Sequence, residues 1–228
     1  MPAILRVGLS VPDTEAEGPG RRFAIWVQGC PLRCKGCCNP ELFAFSGGIE
    51  RATDDLAAEI ANTPGIEGVS FLGGEPFSHV GAVLDVARRV RAGGLSIMIF
   101  TGFTLAELRA RRRADIDELI ALTDLLVDGR YRRDLPETRR RWIGSSNQIM
   151  HFLTDRYSAT DPQFYRRNTV EIRLSRDGLL VNGWPGAADA LATTLTTCTD
   201  DRMAGRPAAA LRMNSTAHRP GPHATKGR

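Results

Sequence analysis

Short apolar runs alternate along the chain with segments of helical periodicity. The runs at 22–28, 67–72, 95–100 and 124–127 predict buried β-strands. Between them, Leu56 and Ile60 at one place, and the apolar residues from Val80 to Val90 at another, repeat at helical spacing. Buried strands that alternate with helices are typical of a parallel sheet covered by helices, so the pattern predicts an α/β fold.

Local features refine these elements. Residues 3–11 predict an edge strand, and residues 12–21 predict a loop with a turn at Gly18-Pro19-Gly20. Thr53 and Thr104 are predicted helix N-caps. A further helix is expected over 115–122.

The end of the chain changes in character. Residues 169–174 and 179–183 predict a β-hairpin around Asp177-Gly178. After Pro185 the composition is mostly Ala, Thr, Arg, Pro and Gly, without sustained periodicity. We therefore expect one domain over 1–184 and a basic, largely disordered tail over 185–228.

Charge adds little to this picture. The net charge of the 228 residues is +4, but six basic and three acidic residues follow Trp184, so the domain itself is nearly neutral. This disfavours nucleic acid as a partner. No apolar run is long enough to span a membrane, and the first residues do not resemble a signal peptide, so we expect a cytoplasmic protein without a membrane partner.

Unusual residues follow each predicted strand. A cysteine-rich loop follows 22–28, Gly73-Gly74-Glu75 follows 67–72, Thr101 follows 95–100, and Asp128 follows 124–127. Ligands of parallel α/β sheets bind at the carboxyl ends of the strands. The sequence therefore predicts one site that gathers these residues.

The cysteines indicate a metal centre. Four of the five cysteines lie between Cys30 and Cys38, too close together to join distant parts of a fold by disulfides. Cys30, Cys34 and Cys37 have the spacing C-x3-C-x2-C, which suits three corners of a [4Fe-4S] cluster and leaves one iron without a protein ligand. A zinc site is the alternative, but it needs a fourth ligand, and chelation of one ion by adjacent Cys37 and Cys38 is awkward.

The other motifs each allow two interpretations. Gly73 and Gly74 permit a close approach of the backbone to a ligand, and Glu75 can accept hydrogen bonds from a ligand ammonium; an ordinary strand-to-helix turn is the alternative. Asp128 and Arg130 can contact a ribose and a carboxylate, or can pair with surface neighbours. The polar segment 142–148 is either part of the site or a capped loop.

Together these segments resemble the radical S-adenosylmethionine (SAM) superfamily, and within it the proteins that activate anaerobic ribonucleotide reductase. The matching pieces are Gly18-Pro19-Gly20, CPLRCKGC at 30–37, LGGEP at 72–76, FTGFTLAEL at 100–108, LLVDGRY at 125–131 and WIGSSNQ at 142–148. One departure is Cys38, which stands where the superfamily usually has an aromatic residue.

The resemblance implies a fold, two cofactors and a set of site residues. The fold would be an abbreviated radical SAM partial (β/α) barrel. Cys30, Cys34 and Cys37 would hold one [4Fe-4S] cluster, whose open iron SAM would chelate. The SAM pocket would be formed by Gly73, Gly74, Glu75, Asp128 and Arg130, with Thr101 as a further candidate.

The implied reaction is reductive cleavage of SAM to a 5′-deoxyadenosyl radical, which would abstract hydrogen from a glycine of a glycyl radical enzyme such as anaerobic ribonucleotide reductase. A low-potential electron donor such as flavodoxin or ferredoxin would serve the cluster. Two alternatives remain open: the same chemistry on a peptide or small metabolite, and a noncatalytic iron-sulfur or zinc-binding module.

Overall fold

A mixed seven-stranded sheet forms the centre of the protein in a computed structural model that describes residues 3–175, 178–184 and 211–213. Its strands are β1 (Ile4–Thr14), β2 (Arg22–Val27), β3 (Ile49–Ala52), β4 (Gly68–Gly73), β5 (Ser96–Phe100), β6 (Leu125–Asp128) and β7 (Ile149–Phe152), in the spatial order β3-β1-β2-β4-β5-β6-β7. Strands β2, β4, β5 and β6 are parallel neighbours, whereas β1, β3 and β7 pair antiparallel.

Four α-helices accompany the sheet in the described part of the chain. They are α1 (Thr53–Ala61), α2 (Val80–Ala92), α3 (Leu105–Ala110) and α4 (Ala114–Leu122). Leu56, Val83 and Leu119 belong to the same buried cluster as Ile25 and Phe71 of the sheet. Because apolar side chains on the inner faces of the helices meet those of the sheet, the helices and the parallel strands form one hydrophobic core.

Loops and a second sheet enclose two further core clusters. Trp142, Ile143 and Phe164 pack with Met98 and Val127 of the central sheet. The second sheet contains β8 (Val170–Ser175), β9 (Gly178–Gly183) and β10 (Leu211–Met213); β8 and β9 form an antiparallel hairpin, and β10 is parallel to β9. The hairpin reaches the central sheet through Leu180, which packs against the cluster of Trp26 and Leu72.

A buried arginine joins the amino-terminal ends of the parallel strands. Arg22, the first residue of β2, is fully buried. Its guanidinium donates to Ser70 Oγ (2.8 Å), Ser96 Oγ (2.8 Å) and the carbonyl oxygens of Pro19 (3.0 Å) and Val69 (2.7 Å). Burial lowers the pKa of Arg22, while the neighbouring Tyr157 hydroxyl favours its charged form. Its three nitrogens all have partners, so the group is a structural one.

The structure confirms the α/β class and corrects some details. The strand predicted over 3–11 runs to Thr14, into the predicted loop, and is not an edge strand, because the short polar strand β3 pairs outside it. Thr53 is not an N-cap: it is the first residue of α1, and its hydroxyl bonds to Asp85. Thr104 does cap α3, in a capping box with Glu107.

The end of the chain agrees in part with expectation. The predicted hairpin is present, although Asp177 lies outside the described residues. Within the segment expected to be disordered, Leu211–Met213 forms a strand, because it finds a backbone partner in β9. The remainder of 185–228 lies outside the described residues. Among the residues that are described, no helix has the length and apolar character needed to cross a membrane.

Candidate functional site

A cavity of ≈ 210 Å³ lies at the carboxyl ends of the parallel strands. Seven of the residues predicted from the sequence line it: Cys30, Cys34, Cys37, Gly73, Gly74, Glu75 and Thr101. Strand ends of β2, β4 and β5 thus meet at one place, as the sheet pattern predicted. Leu32, Leu72 and Phe100 add apolar surface to the same cavity.

The cysteine loop is folded by its own backbone. The amide of Cys30 donates to the carbonyl of Phe43 (3.2 Å), and the amide of Cys37 donates to the carbonyl of Cys34 (3.1 Å). Arg33 and Gly36 adopt left-handed conformations, with φ of 47° and 77°. These turns curl the loop so that its cysteines share one cavity.

The cysteines suit a cluster better than a single ion. Burial raises the pKa of Cys30, and raises that of Cys37 to about 11, so metal binding must displace a proton from each thiol. A structural zinc ion needs four converging ligands, whereas each iron of a [4Fe-4S] cluster takes one cysteine. The donor set therefore fits three corners of such a cluster.

Gly73 and Gly74 bring the end of β4 against the start of the cysteine loop. Gly73 has φ of 92°, and a Cβ on Gly74 would lie 2.5 Å from the carbonyl oxygen of Gly29. The amide of Gly74 donates to the carbonyl of Val27 (2.8 Å). The close approach that the glycines permit is thus made by the protein's own backbone, and it fixes the cysteine loop on the sheet.

Glu75 is a buried carboxyl group that joins two strand ends. Its Oε1 accepts from the amide of Phe77 (2.9 Å) and from the Thr101 hydroxyl (2.8 Å), and its Oε2 accepts from the amide of Gly102 (2.9 Å). Burial raises the pKa of Glu75 to about 7 and outweighs these hydrogen bonds, which act in the opposite direction. Glu75 and Thr101 therefore form one rigid unit on the cavity wall.

Asp128 and Arg130, which were also predicted for the SAM pocket, are not among the residues that line this cavity. Asp128 Oδ2 accepts from the amide of Leu105 (2.7 Å) and lies 2.9 Å from Nε2 of His151. Arg130 is half exposed and pairs with Glu107 (3.1 Å). The chain turns at Gly129, where φ is 100°, so Gly129 reaches the cavity while these two side chains face other partners.

The polar segment 142–148 closes the cavity beside β6. Gln148 Oε1 accepts from the amides of Gly144 (3.1 Å) and Ser145 (3.0 Å), and its Nε2 donates to the carbonyl of Gly129 (2.9 Å). The side-chain amide of Gln148 therefore joins the segment 142–148 to the segment 125–131.

Sequence reasoning did not identify four residues of the lining: Glu17, Asn168, Gly183 and Trp184. They come from the β1–β2 loop and from the region of the hairpin. Glu17 carried a hint, because a charged residue adjoins the Gly18-Pro19-Gly20 turn; the others reach the cavity only when the hairpin packs. Trp142 also lines the cavity and belongs to the segment 142–148, a candidate part of the site from the sequence.

Comparisons with known proteins agree on one family. The family described as "4Fe-4S single cluster domain" matches residues 16–151. The anaerobic ribonucleoside-triphosphate reductase-activating protein of Vibrio cholerae is 33% identical over 151 residues, which are 63% of this chain and 95% of the relative. The protein of the same name from Escherichia coli K12 is 35% identical over 150 residues (62% and 95%). That from Enterobacteria phage T4 is 27% identical over 151 residues (63% and 92%).

Proposed function

The chain belongs to the family of anaerobic ribonucleoside-triphosphate reductase-activating proteins and contains its 4Fe-4S single cluster domain, and from this premise we propose that it is a radical SAM enzyme that activates an anaerobic ribonucleotide reductase. The observation that carries the proposal is the shared cavity. Cys30, Cys34 and Cys37 line it together with Glu75 and Thr101.

Cys30, Cys34 and Cys37 would hold the cluster, one thiolate to each of three irons. When bound, the cluster and SAM supply a 5′-deoxyadenosyl radical by one-electron reduction of the sulfonium. The protein contributes position and exclusion of water. Apolar surface from Leu32, Leu72 and Phe100 lines the cavity and keeps water away from a reactive species.

Glu75 is the group we assign to the ammonium of SAM. Oε1 already accepts two hydrogen bonds, but Oε2 accepts one and has a further lone pair for a ligand donor. Carboxylate and ammonium make a charge-assisted hydrogen bond, which is among the stronger kinds. Gly73 and Gly74 place this carboxyl group beside the cysteine loop. Asp128 and Arg130 have no part in this assignment.

The partner in this proposal is the glycyl radical subunit of an anaerobic ribonucleotide reductase. A glycine suits radical storage because no side chain hinders its entry into a pocket. The proposal also needs a low-potential electron donor such as flavodoxin or ferredoxin, and it places the reaction in the cytoplasm.

The test is anaerobic SAM cleavage by the reconstituted protein. The wild-type protein with a reduced cluster should form 5′-deoxyadenosine and methionine from SAM, and should then give a glycyl radical signal in electron paramagnetic resonance when the reductase is added. Cys34→Ala should lose both products, because it removes one cluster ligand. Cys38→Ala is the matched control, and it should retain the full iron content.

Other outcomes point to the alternative functions. SAM cleavage without radical transfer to the reductase would indicate another substrate, either a peptide or a small metabolite. A properly reduced cluster that neither binds nor cleaves SAM would contradict the enzyme proposal and favour a noncatalytic iron-sulfur module.

A further inference from the structure

Three basic side chains lie on the outer side of the cysteine loop, and together we call them the basic patch. Arg33 and Lys35 belong to the loop itself, and Arg133 comes from the segment that follows β6. All three residues are exposed, and none of them lines the cavity. The binding of ligands in the cavity therefore does not account for them.

Two of the three side chains are held over the loop by packing. The guanidinium of Arg33 lies 6.0 Å from the ring centroid of Phe43, which lines the cavity. A Cβ on Gly36 would lie 2.9 Å from Cδ of Arg133, so the aliphatic part of this arginine covers the backbone of the cysteine loop. The positive charges are thus held directly above the segment that carries the cysteines.

The charge of the basic patch is not neutralised within the described part of the chain. Neighbouring cations do have partners, since Arg130 pairs with Glu107 and Arg132 pairs with Asp134. No described carboxylate forms an ion pair with a residue of the basic patch. Glu41 is the only acidic residue between positions 30 and 45, and burial raises its pKa. This surface is therefore positive, and it attracts an acidic partner.

The basic patch covers the side on which a cluster would come nearest to the solvent. Cys30 is buried, whereas Cys34 and Cys37 are partly exposed. Lys35 and Gly36 lie between these two cysteines in the chain, and both are exposed. An electron that enters the proposed cluster from outside would therefore have its shortest path through this part of the loop.

We propose that the basic patch is the docking surface of a small acidic electron-transfer protein, which reduces the cluster from this side. One electron moves from the reduced donor to the cluster, the donor is oxidised by one electron, and no bond forms or breaks. The inference rests on the proposed function and deepens it, because it assigns the donor to a surface outside the cavity. Redox partners meet through small, transient interfaces, for which charge attraction gives a fast encounter.

The test uses charge reversal, with flavodoxin as the donor. Arg33→Glu, Lys35→Glu and Arg133→Glu are made singly and together. Arg156→Glu is the matched control, because it makes the same change of charge at an exposed position far from the cysteines. The guanidinium of Arg156 donates to the carbonyl of Gly94, which precedes β5 at the amino-terminal end of the parallel strands.

Three quantities are measured on each reconstituted protein. The first is the Kd for oxidised flavodoxin at low ionic strength, by calorimetry. The second is the rate constant with which reduced flavodoxin reduces the cluster, by stopped flow at several salt concentrations. The third is the rate of 5′-deoxyadenosine formation with photoreduced 5-deazariboflavin, an uncharged small reductant that needs no docking surface.

We expect each single reversal to weaken flavodoxin binding and to slow reduction by flavodoxin about tenfold, and the triple variant to show about a hundredfold loss. The wild-type rate constant should fall steeply as salt is added, whereas that of the triple variant should not fall. Arg156→Glu should stay within about twofold of wild type, because its distant charge is screened. The rate with 5-deazariboflavin should be the same in all variants, which a general loss of folding would not produce.

Three results would overturn the inference. One is a triple variant that binds flavodoxin and is reduced by it as the wild-type protein is. Another is equal slowing with flavodoxin and 5-deazariboflavin, which would show that the charges act on the cluster and not on docking. The third is unchanged flavodoxin binding with a raised KM for the reductase in glycyl radical formation driven by 5-deazariboflavin, which would assign the basic patch to the reductase.

Failure of the wild-type protein to cleave SAM with 5-deazariboflavin is a different result, since it contradicts the proposed function itself.

Discussion

The two ends of the parallel strands both bury charged side chains, but they satisfy them differently. At the amino-terminal end, the guanidinium of Arg22 is bonded through all three nitrogens to Ser70, Ser96 and backbone carbonyls. At the carboxyl-terminal end, Glu17 and Glu75 line a cavity, and Nε1 of Trp142 lacks an acceptor among the described residues. At the first end the protein itself satisfies the buried charged group, whereas at the second end the buried groups adjoin a cavity that can hold a ligand.

This difference distinguishes a structural buried group from a ligand-binding one more clearly than the extent of burial does. Arg22 and Glu75 are both fully buried, so exposure alone does not distinguish them. What distinguishes them is whether a cavity adjoins the group. Changes at the amino-terminal end should therefore alter stability, and changes at the carboxyl-terminal end should alter ligand binding.

The largest expected effect is at Arg22. Arg22→Met leaves several buried acceptors without their donor, and should lower the free energy of unfolding by about 3–5 kcal/mol. The folded fraction should keep its affinity for SAM. Urea denaturation measures the first quantity, with Arg21→Met as control. Arg21 is a more exposed neighbour paired with Asp13, and its loss should leave the free energy of unfolding close to that of wild type. If Arg22→Met bound SAM more weakly at unchanged stability, the contrast between the two ends of the strands would be wrong.

A smaller loss of stability is expected at Gly74, which lines the cavity and also packs closely against neighbouring backbone. A Cβ on Gly74 would meet the backbone oxygens of Gly29 and Val27 at 2.5 and 2.7 Å. Gly74→Ala should therefore lower the free energy of unfolding by about 2–4 kcal/mol and reduce the iron content, because the cysteine loop must shift. Gly81→Ala is the matched control: nothing lies within 4 Å, and the helix should gain about 0.5–1 kcal/mol.

The pH dependence of stability sharpens the contrast at Glu17. The folded protein raises the pKa of this group from 4.5 to about 7, so it holds the proton more tightly than the unfolded chain does. Its contribution to stability is accordingly greatest at low pH and is lost as the pH rises from 4.5 through about 7. The loss is about 2–3 kcal/mol over that window.

The measurement is urea denaturation at several pH values. Glu17→Gln has no proton to lose and should show a flatter profile than wild type. Asp155→Asn, a change at an exposed carboxyl group, should keep the wild-type profile. Equal slopes for Glu17→Gln and wild type would show that folding does not shift the pKa of this carboxyl group.

The smallest effects are expected at Asp128, which ends β6, and at Arg130, which follows it. Neither residue lines the cavity. Asp128→Asn and Arg130→Ala should leave the Kd for SAM within about twofold of wild type. Stability should change by no more than about 1 kcal/mol, since Asp128 caps one backbone amide and Arg130 makes a half-exposed ion pair. A tenfold rise in the Kd of either variant would return that residue to the SAM pocket.

The sequence predicted the part of the site whose residues are close to one another in the chain or directly follow a strand. Strands β2, β4 and β6 are buried almost throughout, so their apolar runs are continuous and easy to detect. The cysteines are close in sequence, and Gly73 to Glu75 directly follow a strand. Parallel pairing then brings these segments together, as the architecture requires.

The other part depends on contacts between distant segments. Glu17 and Trp184 line the same cavity because the hairpin packs on the β1–β2 loop, and no local pattern encodes that packing. The resemblance predicts Asp128 in the SAM pocket, whereas its place at a strand end left a pairing with a neighbour equally open; the bond of its carboxyl group to the amide of Leu105 is a contact that the sequence did not predict.

The order of the segments along the chain also sets an order in time. The cysteine loop leaves the ribosome well before β9, which is synthesised roughly ten to thirty seconds later at ordinary rates of translation. During that interval the side of the cavity that β9 will close is still open. On the proposed function, iron and sulfide can therefore reach the cysteines before β9 closes this side of the cavity.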